Sequence, residues 1–285
     1  MVRLVREIAK EILGEEKANL VWSGLDIVGD IAVIRKPPSI EIEDLRILAG
    51  EMLKKLNWLK SVWAAISPVE GSYRLRRLEW LAGEKRTETL YREHGCVFKV
   101  DIARIYISPR LSYEHIRIAR LVKPGENIIN MFAGAGLFSI IIAKFAKPAR
   151  VISIDINEEA YRLMLENIEL NKVQGVVIPI KGDALEIIDR YSNSAQRVLL
   201  PLPELALKAF PKALGAIDME GYIHVYEFTK ARNKLEALEQ VEKTYRETIK
   251  SNRDVAKYSI EGRRIVRSVG PRKYQVVLDI WVKRS

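Results

Sequence analysis

The stretch of sequence that decides the fold reads Ile129-Asn130-Met131-Phe132-Ala133-Gly134-Ala135-Gly136-Leu137-Phe138-Ser139. Its first residues are typical of a buried strand, and the apolar residues that follow recur at helical spacing. Between them, Gly134 and Gly136 let the backbone turn sharply and pass close to a ligand. The stretch therefore predicts a strand, a glycine loop and a helix that together hold a nucleoside.

Two aspartates extend this prediction along the chain. Asp155 ends the next predicted strand, about 20 residues beyond the loop, which is the usual spacing for an acid that binds ribose hydroxyls. Asp183 ends the following strand, where it could accept a hydrogen bond from an adenine amino group. Each aspartate alone could simply cap a helix. Because Ser139 and Ile140 stand where a dinucleotide fingerprint places its third glycine, a ligand without phosphates is favoured. The predicted cofactor is S-adenosyl-L-methionine.

Strands and helices alternate after residue 93, which predicts a mainly parallel, doubly wound sheet. The predicted strands are 127–132, 150–154, 176–180, 198–200 and 222–228, and the predicted helices are 112–122, 137–145, 158–171, 184–191, 204–214 and 233–251. Two further strands, 263–269 and 274–282, are separated by Gly270-Pro271 and predict an antiparallel hairpin at the edge of the sheet.

The first 85 residues predict a smaller α+β domain. Helical spacing covers 4–13 and 40–56, a strand with a turn at Gly29 covers 25–34, and another strand covers 60–66. The arginine-rich segment 73–85 is predicted to be a solvated connecting face. The expected organisation is a small α+β domain with a basic linker at 1–85, followed by an α/β Rossmann-type sheet that binds S-adenosyl-L-methionine at 86–285.

Composition narrows the class of protein. The 285 residues include 47 Lys+Arg and 37 Asp+Glu, and the net charge of +10 permits a polyanionic partner. A hydrophobic content of 48% excludes disorder, and the single cysteine, Cys96, excludes a disulfide-stapled fold. No apolar run approaches the ~20 residues of a membrane span, and residues 1–7 lack the features of a signal peptide. We expect a soluble cytoplasmic protein without a membrane partner. His94, His115 and His224 are too scattered to predict a metal site.

Six blocks of sequence are specific enough to indicate a family. They are Leu81-Ala82-Gly83-Glu84, His94-Gly95-Cys96-Val97-Phe98-Lys99-Val100-Asp101, Ser108-Pro109-Arg110-Leu111-Ser112-Tyr113-Glu114, Met131-Phe132-Ala133-Gly134, Gly221-Tyr222-Ile223-His224-Val225-Tyr226-Glu227-Phe228 and Pro271-Arg272-Lys273-Tyr274. With these blocks in this order, the chain resembles the archaeal and eukaryotic tRNA (guanine-37-N1)-methyltransferases from about residue 25 to its end. The resemblance implies S-adenosyl-L-methionine as methyl donor and the anticodon stem-loop of tRNA as partner. It implies methyl transfer to N1 of guanosine-37, and we expect a monomeric enzyme.

The resemblance also implies roles for individual residues. N1 of guanine must lose a proton as it attacks the methyl carbon, and Glu114 matches the family's base, although an acid in the first turn of a helix is the simpler alternative. Arg74 matches the arginine that stabilises negative charge on O6. The expected catalytic residues are Glu114, Arg74 and Pro201, and the expected substrate-binding residues are Arg74, Tyr106, Arg110 and Pro203. The expected cofactor-binding residues are Tyr106, His115, Phe132, Ala133, Gly134, Gly136, Asp155, Ile156, Asp183, Ala184 and Pro201.

Three departures from the family pattern modify these expectations. Asn130 stands where Asp is common, and Pro201-Leu202-Pro203 stands where the family has Asn-Leu-Pro. Proline has neither a side-chain acceptor nor a backbone N–H, so contacts to the substrate should differ. The change resembles the archaeal branch that also methylates C7 of 4-demethylwyosine. The chain also begins at what resembles the family's second module, so the domain that senses the tRNA elbow is expected to be missing.

The positive charge has an expected location in this interpretation. A cofactor without phosphates needs little positive charge, so the surplus is assigned to contacts with the RNA backbone. The candidate residues are Arg74, Arg76, Arg77, Lys85 and Arg86 ahead of the cofactor domain and Arg263, Arg264, Arg267, Arg272 and Lys273 in its final hairpin.

The sequence leaves two other functions open. A wyosine-pathway aminocarboxypropyl transferase shares the sheet and the cofactor, but it has a Phe-Ser-x-Gly-Asn type of block where this chain has Ser108-Pro109-Arg110-Leu111. That difference favours methyl transfer. A non-catalytic tRNA-binding protein on the same fold is the second alternative, suggested by the changes at Asn130 and Pro201. The intact Glu114, Arg74, Asp155 and Asp183 favour an enzyme.

Overall fold

The structure is a computed structural model that describes residues 2–21, 25–71 and 73–285. The chain divides into two compact units, Met1–Arg110 and Leu111–Ser285. This division lies after the expected boundary at residue 85, because the segment that follows residue 85 is bonded to the first unit. Both Arg86 and Thr89 donate hydrogen bonds to the carboxylate of Asp30, at 2.5 and 2.7 Å.

The first unit contains two helices and a four-stranded sheet. Its helices are α1 (Val2–Leu20) and α2 (Ile42–Lys55), and its strands are β1 (Leu25–Val28), β2 (Ile31–Arg35), β3 (Ser61–Ala65) and β4 (Leu78–Gly83). The strand order is β1-β2-β3-β4, in which β2 and β3 are parallel and the outer pairs are antiparallel. Helix α2 buries Leu45, Leu48, Ala49 and Met52, one face of the helix, as helical spacing predicts. The predicted helices and strands before residue 70 are confirmed.

Two elements of the first unit differ from the sequence prediction. The segment predicted as a solvated connecting face contains β4, which pairs antiparallel with β3 and buries Leu81. The arginines that precede β4 hide this short strand in the sequence. A hairpin of β5 (Glu88–Glu93) and β6 (Cys96–Asp101) was also missed. Its turn, His94-Gly95, has two positive φ angles, 46° and 72°. The signal in the sequence was a glycine between two segments in which apolar and polar residues alternate.

The second unit is built on a seven-stranded sheet with helices between the strands. Its strands are β7 (Asn127–Asn130), β8 (Arg150–Asp155), β9 (Val177–Lys181), β10 (Ala195–Leu200), β11 (Ile217–Lys230), β12 (Val255–Gly270) and β13 (Lys273–Arg284). Its helices are α3 (Ser112–Leu121), α4 (Leu137–Ala146), α5 (Glu158–Leu170), α6 (Ala184–Ile187), α7 (Pro203–Ala216) and α8 (Lys234–Lys250). The strand order is β12-β13-β11-β10-β7-β8-β9.

The pairing of these strands confirms the predicted architecture. Strands β7 to β11 are parallel, and β13 pairs antiparallel with both β11 and β12. The hairpin predicted at the edge is therefore present, with a turn at Pro271-Arg272. The sheet brings the carboxyl ends of its parallel strands to one edge, where open α/β sheets bind ligands. No helix in the described part of the chain is long and apolar enough to cross a membrane.

Candidate functional site

The glycine loop joins β7 to α4 as predicted. Gly134 and Gly136 have φ angles of 57° and 89°, a left-handed conformation that favours glycine. A Cβ at Gly134 would meet no atom within 4 Å, whereas a Cβ at Gly136 would touch Ile140 and Met164 at 3.1 Å. Gly136 therefore packs against the helices behind the loop, and Gly134 faces open space. This open side is where a bound nucleoside could approach the backbone.

Asp155 lies at the end of β8 and is bonded to the glycine loop. Its Oδ2 accepts a hydrogen bond from the Gly134 N–H at 2.6 Å, and its Oδ1 accepts one from the Asn157 N–H at 2.9 Å. Burial raises the pKa of Asp155 and outweighs the opposing effect of these backbone bonds. Beside it, the apolar side chain of Ile156 is 51% exposed. The carboxylate thus shapes the loop and retains lone pairs for a ligand hydroxyl.

Asp183 and Asn130 are held at the carboxyl ends of β9 and β7. Asp183 caps α6, since its Oδ1 accepts a hydrogen bond from the Leu185 N–H at 2.8 Å, and Ala184 is buried behind it. Asn130 is fully buried, and its Nδ2 donates to Ser139 Oγ at 3.1 Å. Its Oδ1 has no hydrogen-bond partner among the residues that the structure describes. The helix-capping alternative for Asp183 is therefore present in the fold, together with the expected position at the strand end.

Glu114 is 1% exposed, in the first turn of α3. Its Oε2 accepts hydrogen bonds from the Tyr226 hydroxyl at 2.9 Å and from Arg117 Nε at 3.0 Å. Its Oε1 is in an ion pair with Arg264. The next residue, His115, is also buried and meets Phe138 edge to face, with 4.4 Å between the ring centroids. Glu114 is thus a buried, oriented carboxylate and not a solvated acid at a helix end.

A chain of buried charges extends from Glu114 across the sheet, and sequence reasoning missed it. Arg117 holds Asp279 through two bonds of 2.6 and 3.1 Å, and Asp279 Oδ1 lies 2.5 Å from His224 Nδ1. His224 Nε2 lies 2.6 Å from Arg197, which in turn holds Glu126 at 2.8 and 3.1 Å. The available signal was the presence of Arg197, His224 and Asp279 inside otherwise apolar strands.

The ring of His224 is neutral in this chain of charges. Arginine can only donate, so His224 Nε2 accepts from Arg197 and Nδ1–H donates to Asp279. Burial lowers the pKa of His224, and the charges of Arg197 and Arg117 add to this effect against that of Asp279. His224 was expected to be a strand residue with a satisfied ring, and both ring nitrogens do have partners.

Pro201 and Pro203 border the carboxyl end of β10. Pro201 follows the strand directly, and Pro203 is buried at the first position of α7. A groove of about 660 Å³ adjoins Pro203 and is lined by Pro203, Glu204, Leu207, Phe228 and Lys273, among others. Lys273 lies 5.1 Å from the centroid of the Phe228 ring. This edge thus offers an aromatic and a cationic group beside Pro203.

The first unit holds three of the predicted site residues, Arg74, Tyr106 and Arg110. Arg74 has a φ angle of 57°, which strains a residue other than glycine, and its guanidinium lies 4.3 Å from the Tyr106 ring centroid. Arg110 forms an ion pair with Asp26 at 2.9 Å, and Arg76 approaches the other oxygen of Asp26 at 3.4 Å. The structure therefore brings Arg74 and Tyr106 together and brings Arg76 and Arg110 to one carboxylate.

Arg86, which the sequence assigns to contacts with the RNA backbone, has partners within the first unit. It donates to Asp30 at 2.5 Å, to Glu84 at 2.6 Å and to the Glu88 carbonyl oxygen. The hydrogen bond to Asp30 raises the pKa of Arg86. Its positive charge is balanced within the first unit, where it joins the hairpin β5–β6 to the turn between β1 and β2.

The parallel sheet, the glycine loop and the acids at successive strand ends define a Rossmann-type methyltransferase. The family described as "TRM5/TYW2 methyltransferase domain" matches residues 89–256, and the "TYW2 N-terminal domain" matches residues 5–87. The chain belongs to the TRM5/TYW2 methyltransferase family, as the resemblance in its sequence predicted.

Individual relatives agree with this membership. The chain is 42% identical over 260 residues to the tRNA 4-demethylwyosine(37)-methyltransferase Taw21 of Saccharolobus solfataricus, covering 91% of this chain and 94% of the relative. It is 36% identical to the tRNA (guanine(37)-N(1))-methyltransferase Trm5b of Pyrococcus abyssi, covering 94% and 77%. The solved complex of aTrm5 with tRNALeu superposes with a TM-score of 0.84 at 33% identity, covering 98% of this chain and 78% of that one.

Proposed function

We propose that this protein is an S-adenosyl-L-methionine-dependent tRNA methyltransferase that acts on the nucleotide at position 37, beside the anticodon. The observation that carries the proposal is the buried, oriented carboxylate of Glu114 in a unit that also has the glycine loop of a nucleoside site. Membership in a family with relatives that methylate guanosine-37 or 4-demethylwyosine-37 supports it. N1 of guanosine-37 is the first target that we propose.

The residues of the second unit fit the methyl donor. Gly134 leaves open space at the loop, and Asp155 presents a carboxylate beside it. Asp155 would hold the ribose hydroxyls, Asp183 the adenine amino group, and the backbone from Phe132 to Gly136 would pass beneath them. When bound, S-adenosyl-L-methionine supplies an electrophilic methyl group. We expect Asp155→Ala to weaken donor binding in calorimetry, and wild-type affinity would contradict the ribose role.

Glu114 and Arg74 supply the groups that guanine chemistry needs. The N1 proton must move to a base during attack, and a carboxylate oxygen of Glu114 accepts it. As the proton leaves, negative charge collects on O6, and the guanidinium of Arg74 stabilises that charge more in the transition state than in the ground state. Stacking on Tyr106 limits the orientations of Arg74 before the substrate arrives.

A second target is favoured by specific observations. Pro201 stands where an amino-methylating enzyme offers a side-chain oxygen, and the relative at 42% identity is a 4-demethylwyosine methyltransferase. We therefore propose C7 of 4-demethylwyosine at position 37 as the second substrate atom. The aminocarboxypropyl transferase alternative is less favoured, because the Ser108-Pro109-Arg110-Leu111 block departs from the block of those enzymes.

One experiment tests both targets. Two tRNAs, one with unmodified guanosine-37 and one with 4-demethylwyosine-37, are incubated with isotope-labelled S-adenosyl-L-methionine, and the anticodon loops are analysed by mass spectrometry. We expect one labelled methyl group on the base at position 37. A tRNA with adenosine at position 37 is the matched control. Absence of label from both substrates would refute the proposal, and transfer of the aminocarboxypropyl group would establish the alternative reaction.

A further inference from the structure

The two oxygens of Glu114 have different partners, and the difference points to a function for Arg264. Oε2 is held by the Tyr226 hydroxyl and by Arg117 Nε, and Arg117 is fixed in turn by its two bonds to Asp279. Tyr226 is 1% exposed, and the side chain of Arg117 is 13% exposed. These partners belong to the interior of the second unit, so Oε2 is held from inside. Among the described contacts of Glu114, this leaves Oε1 as the oxygen with room to accept a proton.

Among the residues that the structure describes, Oε1 has one charged partner, Arg264, on the edge strand β12. The two groups form an ion pair, but Oε1 receives no aligned hydrogen bond within the part of the chain that the structure describes. The side chain of Arg264 is 31% exposed and lies 4.5 Å from the ring of Tyr113, which is itself 60% exposed. Register shifts on either side, at Ile260/Gly262 and Ile265/Arg267, interrupt the pairing of β12 with β13. Arg264 is thus the partner of Glu114 that solvent and ligands can reach.

Arg264 balances the charge of the network that extends from Glu114 to Glu126. Glu114, Asp279 and Glu126 carry three negative charges, and Arg117, Arg197 and Arg264 carry three positive charges, while His224 is neutral. Without Arg264 the chain would keep one uncompensated negative charge in a buried position, which is costly. However, while the guanidinium of Arg264 occupies Oε1, it competes with the N1–H of guanine for that oxygen.

We propose that Arg264 is a removable counter-ion for Glu114, and that a backbone phosphate of the bound RNA draws it away and frees Oε1. This inference rests on the proposed function, in which Glu114 is the base and tRNA is the partner. Guanidinium groups bind phosphate as well as they bind carboxylate, so the RNA offers Arg264 an equivalent partner. RNA binding is thereby coupled to activation of the base.

Linkage between Arg264 and Glu114 tests the proposal without any catalysis. The measurement is the affinity of a tRNA with guanosine-37 for the wild type, Glu114→Gln, Arg264→Gln and the double variant, with no methyl donor present. We expect Arg264→Gln to weaken binding about fivefold and to reduce the logarithmic salt slope by about 0.7 to 0.9, the contribution of one phosphate. Glu114→Gln should tighten binding about fivefold, because Arg264 no longer leaves a carboxylate. In the Arg264→Gln background, this tightening should disappear.

A neighbouring ion pair provides the control. Arg263, on the same strand as Arg264, pairs with Glu242 of α8 at 2.5 Å. Glu242→Gln and Arg263→Gln therefore remove one negative and one positive charge at a pair that does not include Glu114. We expect coupling below about twofold in this second cycle, since Glu242 keeps a second guanidinium partner, Arg246, at 2.7 Å when Arg263 leaves it. Equal coupling in both cycles, or none in the first, would overturn the proposal for Arg264. Failure of the wild type to prefer tRNA over heparin would instead refute tRNA as the partner.

Discussion

Glu114 shows how a residue of ordinary type becomes a functional group through its neighbours. In the sequence it is an acid in the first turn of a predicted helix, a position that the helix dipole favours in many proteins. In the structure it is 1% exposed and bonded to Tyr226 and Arg117. Gly134 illustrates the opposite case, because its left-handed conformation and open side follow directly from a glycine pattern visible in the sequence.

We expect Glu114→Gln to lower the single-turnover rate of methyl transfer on the order of 10²-fold, because the amide cannot accept the N1 proton. The amide keeps the size of the side chain, so the affinity for S-adenosyl-L-methionine should be unchanged. Rapid-quench assays measure the rate and calorimetry measures the affinity. A wild-type rate in the variant would remove Glu114 from the mechanism.

The two loop glycines should respond differently to alanine. Gly134→Ala places a methyl group in the open space of the site, so we expect the dissociation constant of the methyl donor to rise about tenfold, with a modest loss of stability from the left-handed φ. Gly136→Ala pushes against Ile140 and Met164, so its main effect should be on the free energy of unfolding. Calorimetry and urea denaturation separate the two quantities. Equal donor affinity in both variants would contradict the assignment of Gly134.

At the scale of elements, strands β10, β11 and β13 carry the charges that connect Glu114 to the interior of the sheet. Arg197 on β10, His224 on β11 and Asp279 on β13 each lie among apolar neighbours, and each finds its partner on another element. Gly262 on β12 leaves room for the Asp279 carboxylate, since a Cβ at this position would lie 2.5 Å from Asp279 Oδ2. Adjacent strands therefore determine the protonation of His224 as well as the packing of the sheet.

Arg197→Met should be strongly destabilising. The substitution leaves Glu126 without its guanidinium partner and His224 Nε2 without its donor. The side chains of Arg197 and Glu126 are only 2% and 10% exposed. We expect a loss of about 3 to 5 kcal/mol in the free energy of unfolding, measured with urea. Lys212→Met is the control, because its pair with Asp189 is 40% and 61% exposed and should contribute less than about 1 kcal/mol. Similar losses in both variants would contradict the buried role of Arg197.

Asp279 should make the stability of the protein sensitive to acid. Burial alone would raise the pKa of Asp279, but the hydrogen bonds from His224 and Arg117 outweigh it and hold the pKa well below its usual range. A carboxyl whose pKa is lowered on folding stabilises the protein above its unfolded pKa, about 3.9, and this contribution is lost as the pH falls through the folded pKa. Asp279→Asn should therefore be less stable than wild type at pH 7, with the difference shrinking below about pH 4. Urea titrations at several pH values measure it, and a constant difference would contradict the linkage.

In the molecule as a whole, the net charge is +10. Some of the arginines that contribute to it are paired with carboxylates of the protein, and others are in excess over the carboxylates near them. Arg86, Arg117 and Arg197 are engaged by carboxylates of their own unit, which offset part of the positive charge. Arg110 and Arg76 share a single carboxylate, Asp26, which leaves a local positive surplus around Asp26. A surplus of this kind attracts a phosphate backbone.

Salt should separate the binding of tRNA from the binding of the methyl donor. Each phosphate contact releases counterions and contributes about 0.7 to 0.9 to the logarithmic salt slope, so the dissociation constant of tRNA should rise more than tenfold between 50 and 200 mM salt. The methyl donor has no phosphate, and its affinity should change little over the same range. Fluorescence titrations measure both constants, and tRNA binding that is insensitive to salt would contradict an electrostatic interface.

The sequence by itself determined the order of strands and helices in the second unit, the glycine loop and the family, because these depend on local periodicity and on motifs of contiguous residues. Strand β4 needed the structure, because a short strand depends on a partner at another place in the sequence, here β3. The hairpin β5–β6 is a local pairing that its His94-Gly95 turn could have indicated. The charge chain from Glu114 to Glu126 also needed the structure. Its members lie up to 165 positions apart, from Glu114 to Asp279, and only the folded sheet brings them within hydrogen-bond distance.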